Sequence, residues 1–215
     1  MMKKNPLLAA TALACGLAFA APASATLTLQ SGLVGGSGDV DNVIFNACGT
    51  AGTGNPVQGC LNTSHTTLVN FSSNETLNIS GGGQATISAQ DGTFNTISIA
   101  LDDTSLGFGK LQFNLDATAN GTANFQAIDQ FGNVFNFNNV ALNGNGNNFF
   151  TLGSLDGQVA VSFTLVSTVG ISLISDLEQV RLGATEISTP VPAPAGLALM
   201  GLGLLGLGMV RRKTA

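Results

Sequence analysis

Apolar and polar side chains alternate with period two through the middle of this chain. Phe94, Thr96, Ser98 and Ala100 oppose Asn95, Ile97, Ile99 and Leu101, which gathers the branched apolar set on one face. Leu111, Phe113 and Leu115 alternate with Gln112 and Asn114, and Ala123, Phe125 and Ala127 with Asn124 and Gln126. Phe135 and Phe137 do the same against Asn136 and Asn138, and Val159, Val161, Phe163 and Leu165 complete the set. Segments of this kind are half-buried antiparallel strands. Asp91-Gly92, Asn120-Gly121, Gly132-Asn133, Asn143-Gly144-Asn145-Gly146 and Asp156-Gly157 punctuate them with the residues that tight hairpins need. No apolar stripe of period 3.6 appears outside the two ends of the chain. The pattern predicts an all-β fold, a single antiparallel β-sandwich of jelly-roll-like type over residues 26–190. Phe149-Phe150 breaks the alternation, so one ring is expected outside the core or capping its end.

Both ends read as address labels. Lys3 and Lys4, the apolar residues 7–21 and Ala23-Ser24-Ala25 have the layout of a signal peptide over residues 1–25, with cleavage after Ala25 and a mature start at Thr26. Cys15 lies inside this segment, behind Ala12-Leu13-Ala14. A lipoprotein signal wants Leu one position earlier, so Cys15 reads as discarded with the leader. At the other end, Val191-Pro192-Ala193-Pro194-Ala195 precedes an apolar run over 196–210 and the basic stop Arg211-Arg212-Lys213. The three cations do not follow the run across a bilayer cheaply, which leaves everything before Pro192 facing outward. As a helix the run spans roughly 22 Å, short of the roughly 30 Å hydrocarbon core, and its Gly content weakens helix propensity. A processed signal suits it better than a permanent anchor.

On these residues the stretch 191–215 resembles the PEP-CTERM sorting signal of bacterial surface proteins. One position departs from the family pattern: Ala193 stands where most members have Glu. The resemblance implies recognition by an exosortase, a membrane-embedded cysteine transpeptidase-like enzyme, and removal of a hydrophobic sorting helix near the Pro-x-Pro motif. It further implies an association with exopolysaccharide and biofilm. The run Ile174-Ser175-Asp176-Leu177-Glu178-Gln179-Val180-Arg181-Leu182 resembles the closing strand that precedes such tails.

Charge narrows the partners. Between the two labels the cations are Lys110 and Arg181, while all twelve carboxylates of the chain lie there, a balance of about −10. That excludes the basic footprint of a nucleic-acid binder and disfavours docking on anionic lipid. Cys48 and Cys60, in a Gly-, Asn- and Thr-rich segment, read as a disulfide of an oxidising compartment. A metal site fails for want of ligands, because the chain has one histidine, His65.

Catalytic patterns are weak. His65 sits in the polar run Asn62-Thr63-Ser64-His65-Thr66-Thr67, and no Gly-x-Ser-x-Gly elbow accompanies it. Glu75, Glu178, Glu186 and the aspartates could supply a glycosidase pair. With no Trp and no Tyr in the chain, however, there is no indole or phenol to stack on a sugar. The expectation is a non-enzyme. Asp39-Val40-Asp41-Asn42 places Asp39 and Asp41 on one side of an extended segment, and Asp102-Asp103 closes a strand. Such oxygen sets hold structural Ca²⁺ in β-sandwich loops, although neither matches the twelve-residue calcium loop. No other cofactor is expected. Asn-x-Ser/Thr triplets at Asn62, Asn70, Asn74, Asn78 and Asn120 are not read as glycosylated in a bacterial chain. The sequence thus points to an exported, non-enzymatic surface or extracellular-matrix protein. A glycan-binding module, calcium-assisted through Asp39 and Asp41, is the second reading.

Overall fold

The computed structural model describes residues 26–48, 52–80, 85–93, 96–155, 157–166 and 174–187. Ala23, Ala25, Cys15, the sorting motif 191–195, the apolar run and Arg211, Arg212 and Lys213 lie outside the described residues. The chain divides into two compact units, Met1–Thr185 and Glu186–Ala215. Fourteen strands follow in order: β1 Leu27–Ser31, β2 Asp41–Ile44, β3 Thr53–Gly54, β4 Val57–Leu61, β5 Leu68–Ser72, β6 Leu77–Ser80 and β7 Thr86–Ala89, then β8 Ile97–Leu101, β9 Leu106–Ala117, β10 Gly121–Asp129, β11 Val134–Leu142, β12 Gly146–Ser154, β13 Ala160–Val166 and β14 Ile174–Glu186. No helix occurs among the described residues.

The alternating segments are where the strands are. Inward residues of β9 (Leu111, Phe113, Leu115), β10 (Ala123, Phe125, Ala127), β8 (Ile97, Ile99, Leu101) and β13 (Phe163, Leu165) are all buried, as the period-two pattern requires. The closing segment is β14, which runs on to Glu186. Gln179 adopts φ 52° within it, and Leu177 and Val180 are both buried although three positions apart. An extra residue in the strand is what allows this.

Hydrogen bonding takes the fold beyond the expected sandwich. The antiparallel ladders link β9, β13, β8, β5, β4, β2 and β14 in succession, and a pairing of β14 with β9 closes a seven-strand barrel. β1 and β12 extend from β9, β10 and β11 from β13, and β7, β6 and β3 from β14. The all-β antiparallel expectation therefore holds, while the strands form one continuous sheet instead of two separately bonded ones. β9 and β14 are long enough to serve several partners along their lengths. Three links of the ring are brief: β9 meets β13 at Phe108↔Ala160, β14 meets β2 at Arg181↔Asn42 and Leu182↔Asp41, and β2 meets β4 at Val43↔Leu61 and Ile44↔Cys60. The core between the strands is held by a Phe cluster. Phe113 lies 5.9, 5.5 and 5.2 Å from Phe125, Phe150 and Phe163, ring centroid to ring centroid. Tilted rings at these separations gain beyond their buried area. Of the expected pair Phe149-Phe150, Phe150 is the buried ring and Phe149 is half-buried.

Candidate ligand groove

A concavity lies on the outer face of β1, β12 and β9. Side chains on one face of neighbouring strands fall in rows. Register sets Thr28 opposite Gly153 and Gly153 opposite Lys110, with Gln30, Thr151 and Gln112 forming the next row. The loop that follows β1 folds back over this face. Gly35 and Gly36, at φ 76° and 72°, give it the left-handed backbone that reversal requires. Polar side chains from the sheet then tie it down. Thr151 Oγ1 donates to Gly32 O at 2.8 Å and accepts from Val34 N at 3.0 Å. Gln112 Nε2 donates to the carbonyls of Val34 and Gly36 at 3.3 and 3.2 Å.

Lys110 is the latch of this strap. Its Nζ donates to Gly35 O at 3.0 Å, Gly36 O at 2.8 Å and Asp39 Oδ1 at 2.9 Å, which uses all three ammonium protons. The Lys110 side chain is 11 % exposed and that of Asp39 63 %. The Lys110 ammonium donating to Asp39 holds its carboxyl below the usual carboxylate range, against the slight desolvation that works the other way. Beside the strap a groove of about 590 Å³ opens. Thr28, Gln30, Asp39 and Ser154 offer it polar groups, and Val34 and Leu155 apolar ones. Gly109 and Gly153 leave its floor bare. A Cβ at Gly153 would meet only Thr28 Oγ1, at 3.8 Å, whereas one at Gly183 would collide with the Asp39 carbonyl oxygen. Glycine inside a strand weakens it and often marks close approach of a ligand or another backbone.

The other candidate residues are dispersed. Asp41 is in β2, opposite Leu182, and Asp39 is engaged by an ammonium, so the pair forms no oxygen cage. Among the described residues no three of His, Cys, Asp and Glu come together. Asp102 Oδ1 accepts from Asn70 Nδ2 at 2.9 Å, and Asp103 Oδ1 from Ser105 N and Oγ at 2.9 and 2.7 Å. His65 is exposed in the turn between β4 and β5. Glu178 Oε2 accepts from the buried Asn114 Nδ2 at 3.2 Å, and Arg181 Nε donates to Asn42 Oδ1 at 2.9 Å. Cys48 and Cys60 are joined in a disulfide with a Cα–Cα distance of 5.9 Å, inside the usual span. Thr26, the expected mature start, is described, and its carbonyl accepts from Leu155 N at 3.2 Å.

A second polar centre went unread in the sequence. Asp129, 1 % exposed, closes the β10–β11 hairpin. Its Oδ1 accepts from the amides of Phe131 and Asn133 at 2.9 and 2.7 Å, and its Oδ2 from Asn133 Nδ2 at 2.8 Å and Gln158 Nε2 at 2.6 Å. Burial works to raise its pKa. The hydrogen bonds from the Asn133 and Gln158 side chains and the two amides outweigh it, and the carboxyl stays below its ordinary value. This is a turn-building carboxylate. The sequence signal for it was Asp129 four residues before Asn133. The groove had a fainter one, Lys110 standing among the polar alternates of β9.

No family model matches the chain, and no curated protein matches it in sequence. Among solved structures it is similar to the enzymatically active domain of tailspike protein 4 of bacteriophage CBA120, at 14 % identity and a TM-score of 0.22. The alignment covers 76 % of this chain and 19 % of that chain, so this chain spans about a fifth of its length. At that level neither fold nor activity transfers.

Proposed function

We propose that this chain is an exported, non-enzymatic bacterial surface or extracellular-matrix protein, sorted through its PEP-CTERM-like tail. An exosortase cleaves near Pro192-Ala193-Pro194, and the protein is held transiently in the inner membrane by 196–210 before reaching the cell surface or the matrix. The observation that carries this is the three-part tail, Val191 to Ala195, the short apolar run and Arg211-Arg212-Lys213, opposite a leader ending at Ala25. The Cys48–Cys60 disulfide is consistent with it, since such bonds persist in oxidising compartments. The all-β body built on the seven-strand barrel is the cargo. Replacing both Pro192 and Pro194 in the native host should leave an uncleaved, membrane-held precursor. Maturation of that variant to the wild-type mass would remove the sorting reading.

The groove favours a second reading, a site for a neutral glycan segment such as an exopolysaccharide would present. Asp39 cancels the Lys110 charge, leaving hydroxyl, amide and carboxylate acceptors beside the apolar Val34 and Leu155. That mixture suits a polyol with apolar ring faces better than an ion. Gly153→Leu fills the floor with little backbone conflict. On a glycan array or with purified exopolysaccharide, wild type should bind and the variant should not. Equal binding by both excludes the groove.

A further inference from the structure

We infer that the outer edge of β11 is a self-association surface, at which two copies of this chain join antiparallel into one continuous sheet. The inference does not rest on the groove or on the sorting tail. Among the described strands β11 pairs with β10 alone, which leaves the other side of this nine-residue strand without a partner strand among them. The other terminal strands are shorter, β1 with five residues and β3 with two. Natural edges are usually blunted by Lys, Pro or an inward charge, because a bare edge is a template for another strand. β11 reads Val-Phe-Asn-Phe-Asn-Asn-Val-Ala-Leu and carries none of these; its bulge, another such device, falls at Asn138 and Asn139, beyond the stretch Val134 to Phe137.

Charge decides the occupant. The whole hairpin, β10 with β11, contains one ionisable residue, Asp129, and that carboxylate is buried within its turn. In a body with a balance of about −10, this is a face where two like-charged copies meet without opposing carboxylates. An acidic partner gains nothing there, and a basic one finds no counter-charge. Apolar groups are already at the surface beside it, Phe131 at 49 % and Val134 at 52 % exposure.

Register follows from the backbone. Val134 to Phe137 run in regular pairing with Ile128 to Phe125, and the regular stretch ends before Asn139, which is left-handed at φ 57°. A two-fold axis at Asn136, inside that stretch, sets Asn136 against its own copy and Phe135 against Phe137. Antiparallel pairing thus gives two aromatic cross-strand pairs and an amide pair.

The test uses the full chain in a Cys15→Ser background, so that the single added thiol is the reporter. Asn136→Cys should oxidise to a covalent dimer at least tenfold faster than Thr63→Cys, an exposed turn control. Asn136→Lys, which sets two like charges against each other, should weaken association in sedimentation equilibrium at least tenfold while the circular dichroism spectrum is unchanged. Cross-linking at Asn136 no faster than at Thr63 overturns the inference, and this is the result expected if another segment of the same chain covers the edge. Association that Asn136→Lys leaves unaltered overturns it too, by placing the contact elsewhere.

Discussion

The strands from β2 to β7 and those from β9 to β14 hold together by different means. The early strands are two to five residues long, the late ones seven to thirteen. Long strands bury many inward side chains each, and the late set concentrates Phe113, Phe125, Phe150 and Phe163 in mutual contact. In the early set the aromatic contact is Phe45 with Phe71 at 5.8 Å, and cohesion comes from Cys48–Cys60 and from side-chain hydrogen bonds such as Gln58 to Asn70 and Asn55 to Ser73. Short strands bury too little area to stand alone. Their Val43, Val57, Val69, Phe71, Leu77 and Ile87 are buried in the common core, and the cross-link adds to that packing.

The sharpest way to break this comparison is to remove a ring from each side. Phe113→Ala deletes three ring contacts in a fully buried setting and should cost about 3–5 kcal/mol in urea unfolding. Phe45→Ala deletes one and should cost less. Equal losses would contradict the assignment of packing to the late strands. Next in size is Asp129→Ala, which strands the Gln158 amide and two turn amides, at about 2–3 kcal/mol. The pH dependence follows from the lowered pKa of Asp129. Its contribution is complete above the unfolded carboxylate value of about 3.9 and is lost as pH falls through the lower folded value. Wild type should therefore lose stability on acidification below about pH 4, and Asp129→Asn should show a shallower slope there.

The disulfide sharpens the comparison from the other side. Reducing Cys48–Cys60 should cost about 2–3 kcal/mol, with hydrogen exchange accelerated in β2 and β4 far more than in β9 to β13. Uniform acceleration across the molecule would count against a local role. The smallest effect belongs to the strap. Lys110→Met removes three hydrogen bonds from a surface loop. It should cost about 1 kcal/mol overall, while amide exchange in 32–40 speeds up markedly.

The same contrast governs what was legible in the sequence. β8, β9, β10, β11 and β13 show themselves because five or more residues alternate and one face is filled with Phe, Ile or Leu, whereas β14, whose buried residues break the period, is marked only by its resemblance to the closing strand before such tails. β3, with two residues, and β2, β6 and β7, with four each, offer too few positions for a period to appear. The disulfide was legible because two cysteines remain once the expected leader with Cys15 is set aside. Closure of the ring was not, since the pairing of β9 with β14 joins segments far apart in the chain and local alternation carries no information about partners. The groove was invisible for a related reason. Lys110 and Asp39 lie 71 positions apart, and Asp39 read alone suggests a cation ligand when its actual cation is an ammonium.

Whether this body is a cargo released from both of its labels is tested most directly by the intact mass of the protein isolated from its native host. The expected product is a chain that begins at Thr26, ends near Pro192-Ala193-Pro194 and is lighter by two hydrogens than its reduced form, together with any attached group. A chain that keeps residues 196–215, or carries Cys48 and Cys60 as free thiols, would contradict it.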